Sequence, residues 1–258
     1  MEGFITPVLN ILNKYPSSKL VHIAYWMVLI LVKTLSIALV TSFYFPFANS
    51  LRKESYIQSW VNDYLSLLGV QTELVNEELI PAQSFLFVAN HVSWLDFFVL
   101  QSLKPSRVVA KAEIANLPFV GKLAKLAGVI FTDRHKAIAV KGTIKTIASA
   151  LERSPVCIFP EGTTHLSGEI LPFKSCLFES AVIAQVPVIP LVIKYVELKT
   201  GERSEAPSYF HASFGTTLVR ILMNRPIKAI LEVCPPATGK DRRELANNCQ
   251  RIIYNHLS

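Results

Sequence analysis

The chain has 258 residues, of which 51% are hydrophobic, and it carries a formal net charge of +7 with a pI near 9.2. The length fits one large domain or two small ones, and an apolar, basic composition favours an anionic membrane surface as partner. The basic residues are dispersed and show no recognition-helix pattern, so we expect no nucleic-acid partner.

Residues 20–48 form a long apolar stretch that only Lys33 interrupts. Three interpretations stay open: a membrane-spanning helix with Lys33 in mid-span, a helix or helical hairpin in one leaflet with Lys33 reaching the interface, or a signal peptide. No small-residue cleavage site follows the stretch, so we predict membrane attachment. Orientation stays open because basic residues flank both ends of the stretch: Lys14, Lys19, Arg52 and Lys53.

Residues 51–70 have the apolar spacing of a helix that ends near Gly69, and residues 70–74 have the pattern of a short strand. We therefore divide the chain into a membrane-associated helical segment, residues 1–70, and an α/β domain, residues 71–258. The boundary lies where helical periodicity gives way to alternating short apolar runs.

Predicted strands and helices alternate from residue 84 onward. The strands are residues 84–89, 107–111, 129–131, 156–159, 188–195 and 228–234. The helices are residues 94–103, 118–126, 136–153, 175–184, 216–223 and 241–257, the last opened by a capping box, Asp241 to Glu244. The buried face of helix 136–153 is expected to contain Ile138, Ile144, Ile147, Ala148 and Leu151. This order predicts an α/β fold with a mostly parallel central sheet flanked by helices.

The four cysteines form no CxxC pair and no Cys/His set with metal-ligand spacing. They are Cys157, Cys176, Cys234 and Cys249. We therefore expect a reducing compartment, no disulfide framework and no metal site.

A histidine and an aspartate follow the apolar strand 84–89, in the segment from Asn90 to Asp96. Ligands of α/β proteins bind at the carboxyl ends of strands. His91 can take a proton near neutral pH, and Asp96 can orient its ring and stabilise the imidazolium. By itself this pair is more typical of a surface histidine and a helix N-cap aspartate than of a catalytic pair.

Three further motifs follow other strands. Phe159 to His165 carries a carboxylate, a glycine and two threonine hydroxyls suited to a polar head group. Gly128 to Arg134 ends in an arginine that can clamp an anion. Val186 to Ile193 contains two prolines in a core strand, and Lys111 and Lys174 add positive charge near strand ends.

The four motifs, in this order and at these intervals, resemble those of the glycerolipid acyltransferase family, over roughly residues 84–195. The resemblance implies that His91 is the general base and Asp96 its partner. It also implies that a lysolipid hydroxyl attacks the thioester of acyl-CoA or acyl-carrier protein directly, so the acyl donor is a co-substrate and no cofactor is needed. The substrate contacts that it implies are Asn90, Lys111, Arg134, Glu161, Gly162, Thr163 and Thr164.

One position departs from the family pattern. Phosphatidate-forming members have an arginine where this chain has Thr164, and threonine lacks the bidentate fork that binds phosphate. The expected acceptor is thus 1-acylglycerol-3-phosphate or a non-phosphate lysolipid such as lyso-ornithine lipid, acylated at the cytoplasmic face of the cell membrane. The alternatives from other classes are a lipid or thioester hydrolase, disfavoured because no Gly-x-Ser-x-Gly elbow occurs, and a non-catalytic lipid-binding protein.

Overall fold

A computed structural model of the chain describes residues 17–117, 120–133 and 137–257. The strands are β1 (Val70–Val75), β2 (Leu86–Ala89), β3 (Arg107–Lys111), β4 (Ile130–Thr132), β5 (Val156–Ile158), β6 (Val188–Glu197) and β7 (Ile227–Val233). The helices are α1 (Ser17–Phe43), α2 (Ser50–Leu68), α3 (Leu95–Leu103), α4 (Val120–Leu126), α5 (Ala137–Leu151), α6 (Glu179–Ala184), α7 (Phe214–Met223) and α8 (Arg242–Leu257).

The described strands form one sheet in the order β1-β7-β6-β2-β5-β3-β4. Neighbouring strands are parallel except for β6 and β7, which are antiparallel. The predicted mostly parallel sheet with flanking helices is confirmed. The direction of β7 was not foreseen, because strand direction depends on the path of the connection and leaves no mark in a single strand's pattern.

Helices cover both faces of the sheet, and the central strands β2 and β5 are accordingly apolar and buried throughout. On the first face, α1, α2, α3 and α7 pack on side chains such as Phe87 and Ile193. On the second face, α5, α6 and α8 pack on the alternate residues, such as Leu86 and Val192. This period-two division places the side chain of Tyr195, two residues after Ile193, on the first face of the sheet.

Helices α1 and α2 form a helical hairpin, joined by a short 3-10 turn at Phe45–Phe47. On the inner side of α1, an isoleucine recurs every seven residues, and these residues, Ile23, Ile30 and Ile37, are buried against the core. Lys33, the charge that interrupts the apolar stretch, forms an ion pair with Asp63 of α2. In the part of the chain that the structure describes, one helix is long and apolar enough to cross a membrane, Leu20–Phe43, and only 22% of it is buried.

Two further contacts tie α1 to the rest of the protein. The Arg225 guanidinium lies 3.9 Å from the centroid of the Trp26 ring, a cation–π contact. Near the other end of α1, Lys122 of α4 donates a hydrogen bond to the Ser42 hydroxyl at 3.0 Å. The apolar helix is therefore docked on the α/β core along its length.

Helix ends follow the predicted signals. Gly69 ends α2 in the left-handed conformation, with φ 70°. Asp241 accepts the N–H groups of Arg243 and Glu244 at the start of α8. The Glu244 carboxylate accepts from Lys240 N–H, one residue before the position that a standard capping box uses.

The predicted burial of Ile138 is wrong, because this side chain is 87% exposed. A helix turns about 100° per residue, so Ile138 lies about 120° around α5 from Ile144. Ile144, Ile147, Ala148 and Leu151 do form the buried side of α5, as predicted. The same helix thus offers two isoleucines in opposite environments.

We expect Ile147→Ala to lower the free energy of unfolding by about 3 kcal/mol, because Ile147 is fully buried and its loss leaves a cavity. Ile138→Ala is the matched control and should change it by less than about 0.5 kcal/mol. Chemical unfolding in detergent measures both. Equal losses in the two variants would contradict the packing of α5 described here.

Candidate active site

The two principal motifs meet at one edge of the sheet because β2 and β5 are adjacent and parallel. The turn after β2 carries His91, and the loop after β5 carries Glu161 and His165. The His165 N–H donates to the His91 carbonyl at 2.9 Å, so backbone atoms join the turn and the loop directly. The structure therefore brings together the two segments on which the sequence prediction rested.

Asp96 is completely buried in the first turn of α3 and has four hydrogen-bond donors. Its Oδ2 lies 2.8 Å from His91 Nδ1 and accepts the N–H groups of Val92 and Ser93 at 2.9 and 3.0 Å. Its Oδ1 accepts the Tyr195 hydroxyl at 2.7 Å. A buried carboxylate requires such a set of donors to remain charged, and here the set also fixes the direction of its bond to His91.

The His91 ring is oriented by two contacts. Its Nδ1 faces Asp96, and its plane stacks on Phe159, with ring centroids 4.2 Å apart and an interplanar angle of 21°. The side chain keeps 24% of its surface exposed. With Nδ1–H donated to a carboxylate, Nε2 is the nitrogen that can accept a proton from a ligand.

Glu161 uses both carboxylate oxygens on backbone groups. Oε1 accepts the His91 N–H and Oε2 accepts the Leu171 N–H, each at 2.8 Å. Burial raises the pKa of this carboxyl to about 7, against the opposing effect of the two backbone hydrogen bonds. These bonds hold the turn after β2 against the loop after β5, and the contact with substrate hydroxyls that the sequence suggested stays a prediction.

Asn90 is also occupied within the protein. Its side-chain amide donates to the Ile193 carbonyl at 3.0 Å and accepts the Ile193 N–H at 2.8 Å. The side chain is buried and pairs like a strand residue with β6. This geometry gives Asn90 a role in joining the turn to the sheet, and the substrate contact expected from the sequence stays a prediction.

The other predicted substrate contacts lie nearer the surface. Gly162 has φ 79°, which favours glycine, and it turns the chain so that Thr163 is exposed and Thr164 half-buried. Lys111 is exposed at the carboxyl end of β3, at the same edge of the sheet. Arg134 lies outside the described residues. Within the described ranges, no group of three or more His, Cys, Asp or Glu side chains could hold a metal ion.

Tyr195 was missed from the sequence. Its position matches one more apolar residue of a core strand, and the only signal is a phenol in a strand whose other buried residues carry no polar side-chain group. Only the pairing of β6 beside β2 brings its hydroxyl to Asp96, 99 residues away in the chain.

Ser93 is completely buried, and its hydroxyl accepts the Leu95 N–H at 3.2 Å. The serine nearest to His91 in the chain is therefore part of the turn and is not presented to a ligand. This arrangement disfavours the hydrolase alternative, which requires an accessible nucleophile activated by the histidine.

The chain is similar to known proteins in sequence. A family model described as acyltransferase matches residues 71–194. A 1-acyl-sn-glycerol-3-phosphate acyltransferase of Neisseria gonorrhoeae is 33% identical over 172 residues, 65% of this chain and 67% of that protein. A lyso-ornithine lipid O-acyltransferase of Pseudomonas aeruginosa is 33% identical over 176 residues, 67% of each chain.

A solved structure shares the fold. The crystal structure of the 1-acyl-sn-glycerophosphate acyltransferase PlsC from Thermotoga maritima superposes with a TM-score of 0.62. The match covers 89% of this chain and 94% of that one, at 19% sequence identity. At this identity the likeness supports the architecture alone.

Glu161 should make stability depend on pH. Its pKa rises from 4.5 to about 7 on folding, so its contribution is fully present below about pH 4.5 and is lost as pH rises through about 7. The stability of the wild type relative to Glu161→Gln should therefore fall by about 3 kcal/mol across this window. Unfolding measured between about pH 4.5 and 8 checks this, and a pH-independent difference would contradict it.

Proposed function

This chain belongs to the acyltransferase family and is a lysolipid acyltransferase, and on that premise we propose its reaction and the roles of its residues. It moves a fatty acyl group from acyl-CoA or acyl-carrier protein to the free hydroxyl of 1-acylglycerol-3-phosphate or a similar lysolipid. The observation that carries the proposal is the His91–Asp96 pair, with one ring nitrogen committed to a buried carboxylate and the ring partly exposed.

His91 acts as the general base. Its Nε2 takes the proton of the lysolipid hydroxyl as the oxygen attacks the thioester carbonyl carbon, and Asp96 stabilises the imidazolium that forms. The tetrahedral intermediate then expels the thiolate, which takes the proton back from His91. A thioester is already activated, so the reaction needs a base, alignment and stabilisation of the oxyanion, and no covalent acyl-enzyme.

The loop after Gly162 supplies donors for developing negative charge. The N–H groups of Thr163 and Thr164 donate to no acceptor among the described residues. The bond between His165 N–H and the His91 carbonyl holds this loop beside the base. These two N–H groups and the threonine hydroxyls are therefore suited to bind the oxyanion or the acceptor head group. The basic side chains of Lys111 and Arg134 are suited to bind phosphate of the acceptor or of the donor.

The protein associates with a membrane through α1, and we place the site at its cytoplasmic face. The outward side of α1 is apolar and exposed, at residues such as Val28, Leu31, Val32, Leu35 and Leu39. Burying this surface in lipid is favourable by about 25 cal/mol per Å². The ion pair with Asp63 reduces the unfavourable effect of Lys33 within the apolar stretch.

Thr164 is the residue that we expect to determine which lysolipid is the acceptor. The basic composition favours a phosphate head group, whereas a threonine at this position removes the bidentate contact that an arginine would make. Relatives of both kinds exist, since the Neisseria protein is named for a phosphate-bearing acceptor and the Pseudomonas protein for lyso-ornithine lipid. We propose lysophosphatidate first and a non-phosphate lysolipid as the second candidate.

In the decisive assay, purified protein in detergent is given each of the two lysolipids, once with acyl-CoA and once with acyl-carrier protein. The wild type should form a diacyl product with at least one pair, and His91→Ala should lose activity by about 10³-fold or more while keeping its fold. Mass spectrometry of the product and thermal unfolding of the variant measure the two. Wild-type rates in His91→Ala would refute its role as base, and no transfer with any pair would refute the reaction.

We expect Thr164→Arg to raise kcat/KM for lysophosphatidate, relative to an uncharged lysolipid, by about ten-fold, because a guanidinium adds charge-assisted bonds to phosphate. Thr163→Arg is the matched control, since it adds the same charge one residue away on an exposed side chain. An unchanged preference in Thr164→Arg, or an equal change in the control, would contradict the assignment of this position.

A further inference from the structure

We propose that Tyr195 is a positioning residue of the acyl-transfer reaction: its hydroxyl holds Asp96 in place and limits how strongly the Asp96 carboxylate stabilises the protonated ring of His91. The proposal rests on the function proposed above and adds a third member to the His91–Asp96 pair. No pattern in the sequence assigns a role to this tyrosine.

The geometry that supports this role is a hydrogen bond buried in the core. Tyr195 and Asp96 are both fully buried, and the hydroxyl donates to Oδ1 at 2.7 Å. The three other donors to this carboxylate, His91 and the N–H groups of Val92 and Ser93, all reach Oδ2. Among the described residues, Tyr195 is therefore the sole donor to Oδ1.

The position of Tyr195 in β6 makes the contact rigid. Two residues earlier in the strand, the backbone of Ile193 makes both hydrogen bonds with the Asn90 amide. The Tyr195 carbonyl accepts the Ser204 N–H at 2.8 Å, on the connection that leads to α7. One strand thus holds the catalytic turn at both ends, at Asn90 through its backbone and at Asp96 through a side chain.

Among the described residues, the other titratable groups around Asp96 do not replace the Tyr195 phenol as its neutral hydrogen-bond donor. From β5, the Cys157 thiol is buried, and both burial and the charge of Asp96 raise its pKa, so it stays protonated. Burial and Asp96 also keep the pKa of Tyr195 well above its usual range, so the phenol stays a donor. Glu161, from the loop after β5, directs both oxygens to backbone N–H groups, and the Nδ1 atom of His165 lies 2.7 Å from Oε2 of Glu169.

A donor to Oδ1 draws negative charge away from Oδ2, the oxygen that faces His91. Without that donor, the carboxylate would hold the imidazolium more tightly and would be less firmly oriented. A base must be unprotonated to act, so the acidic limb of the kcat/KM profile would move to higher pH. A tyrosine that only fills space in the core would leave this limb unchanged.

The test is Tyr195→Phe, which keeps the ring and removes the hydroxyl. We expect the plateau value of kcat/KM to fall about ten-fold, while KM for the lysolipid changes less than about two-fold. The acidic limb of the kcat/KM profile should move to higher pH by about half to one unit. Tyr64→Phe is the matched control, because Tyr64 is a buried tyrosine on the same face of the sheet. It should keep the wild-type limb.

A double variant separates action through Asp96 from an independent effect. If Tyr195 works through that carboxylate, Asp96→Asn combined with Tyr195→Phe should be no slower than Asp96→Asn alone, within about two-fold. Independent, multiplying losses would overturn the proposal, as would a wild-type acidic limb in Tyr195→Phe. Full activity in His91→Ala would overturn both the proposed base and this role, whereas inactive His91→Ala with unaltered Tyr195→Phe would overturn this role alone.

Discussion

The structure of the site depends on one buried charge. Asp96 has no exposed surface, and a carboxylate without hydrogen-bond donors would be strongly destabilising at such a position. Two of its four donors are backbone N–H groups of its own turn, and the others come from His91 and β6. The conformation of the turn, the orientation of the histidine and the position of β6 beside β2 are therefore parts of one arrangement.

Polar residues around this carboxylate divide into those that hold the site and those left for a substrate. Asn90 and Glu161 have their polar atoms on backbone groups of β6 and of the loop after β5. Both were predicted from the sequence to contact the substrate, because a polar residue near the His91 motif has the same sequence pattern in either role. The Thr163–Thr164 segment has exposed or half-buried side chains, and it is the segment that we propose for the ligand.

The apolar helix and the site belong to one packed structure. The inner side of α1 joins the same core as α2, α3 and the first face of the sheet, the face from which Asp96 and Tyr195 meet. Lys33, read from the sequence as a charge within an apolar helix, has a partner in Asp63 on α2. The position of α1 relative to the site is therefore set by core packing.

The sequence by itself determined the alternation of strands and helices, the mostly parallel sheet, the helix end at Gly69 and the His91–Asp96 pair. These features are local, because hydrophobic periodicity, turn residues and ordered motifs are written within short windows of the chain. Only the tertiary structure decided the antiparallel β7, the exposure of Ile138, the partner of Lys33 and the use of Asn90 and Glu161 as supports. Tyr195 is the clearest case, because its contact with Asp96 spans 99 residues and exists only through the pairing of β6 with β2. A donor and an acceptor that far apart in the chain form no recognisable motif in one sequence. The contact between Tyr195 and the His91–Asp96 pair could therefore be found only in the fold.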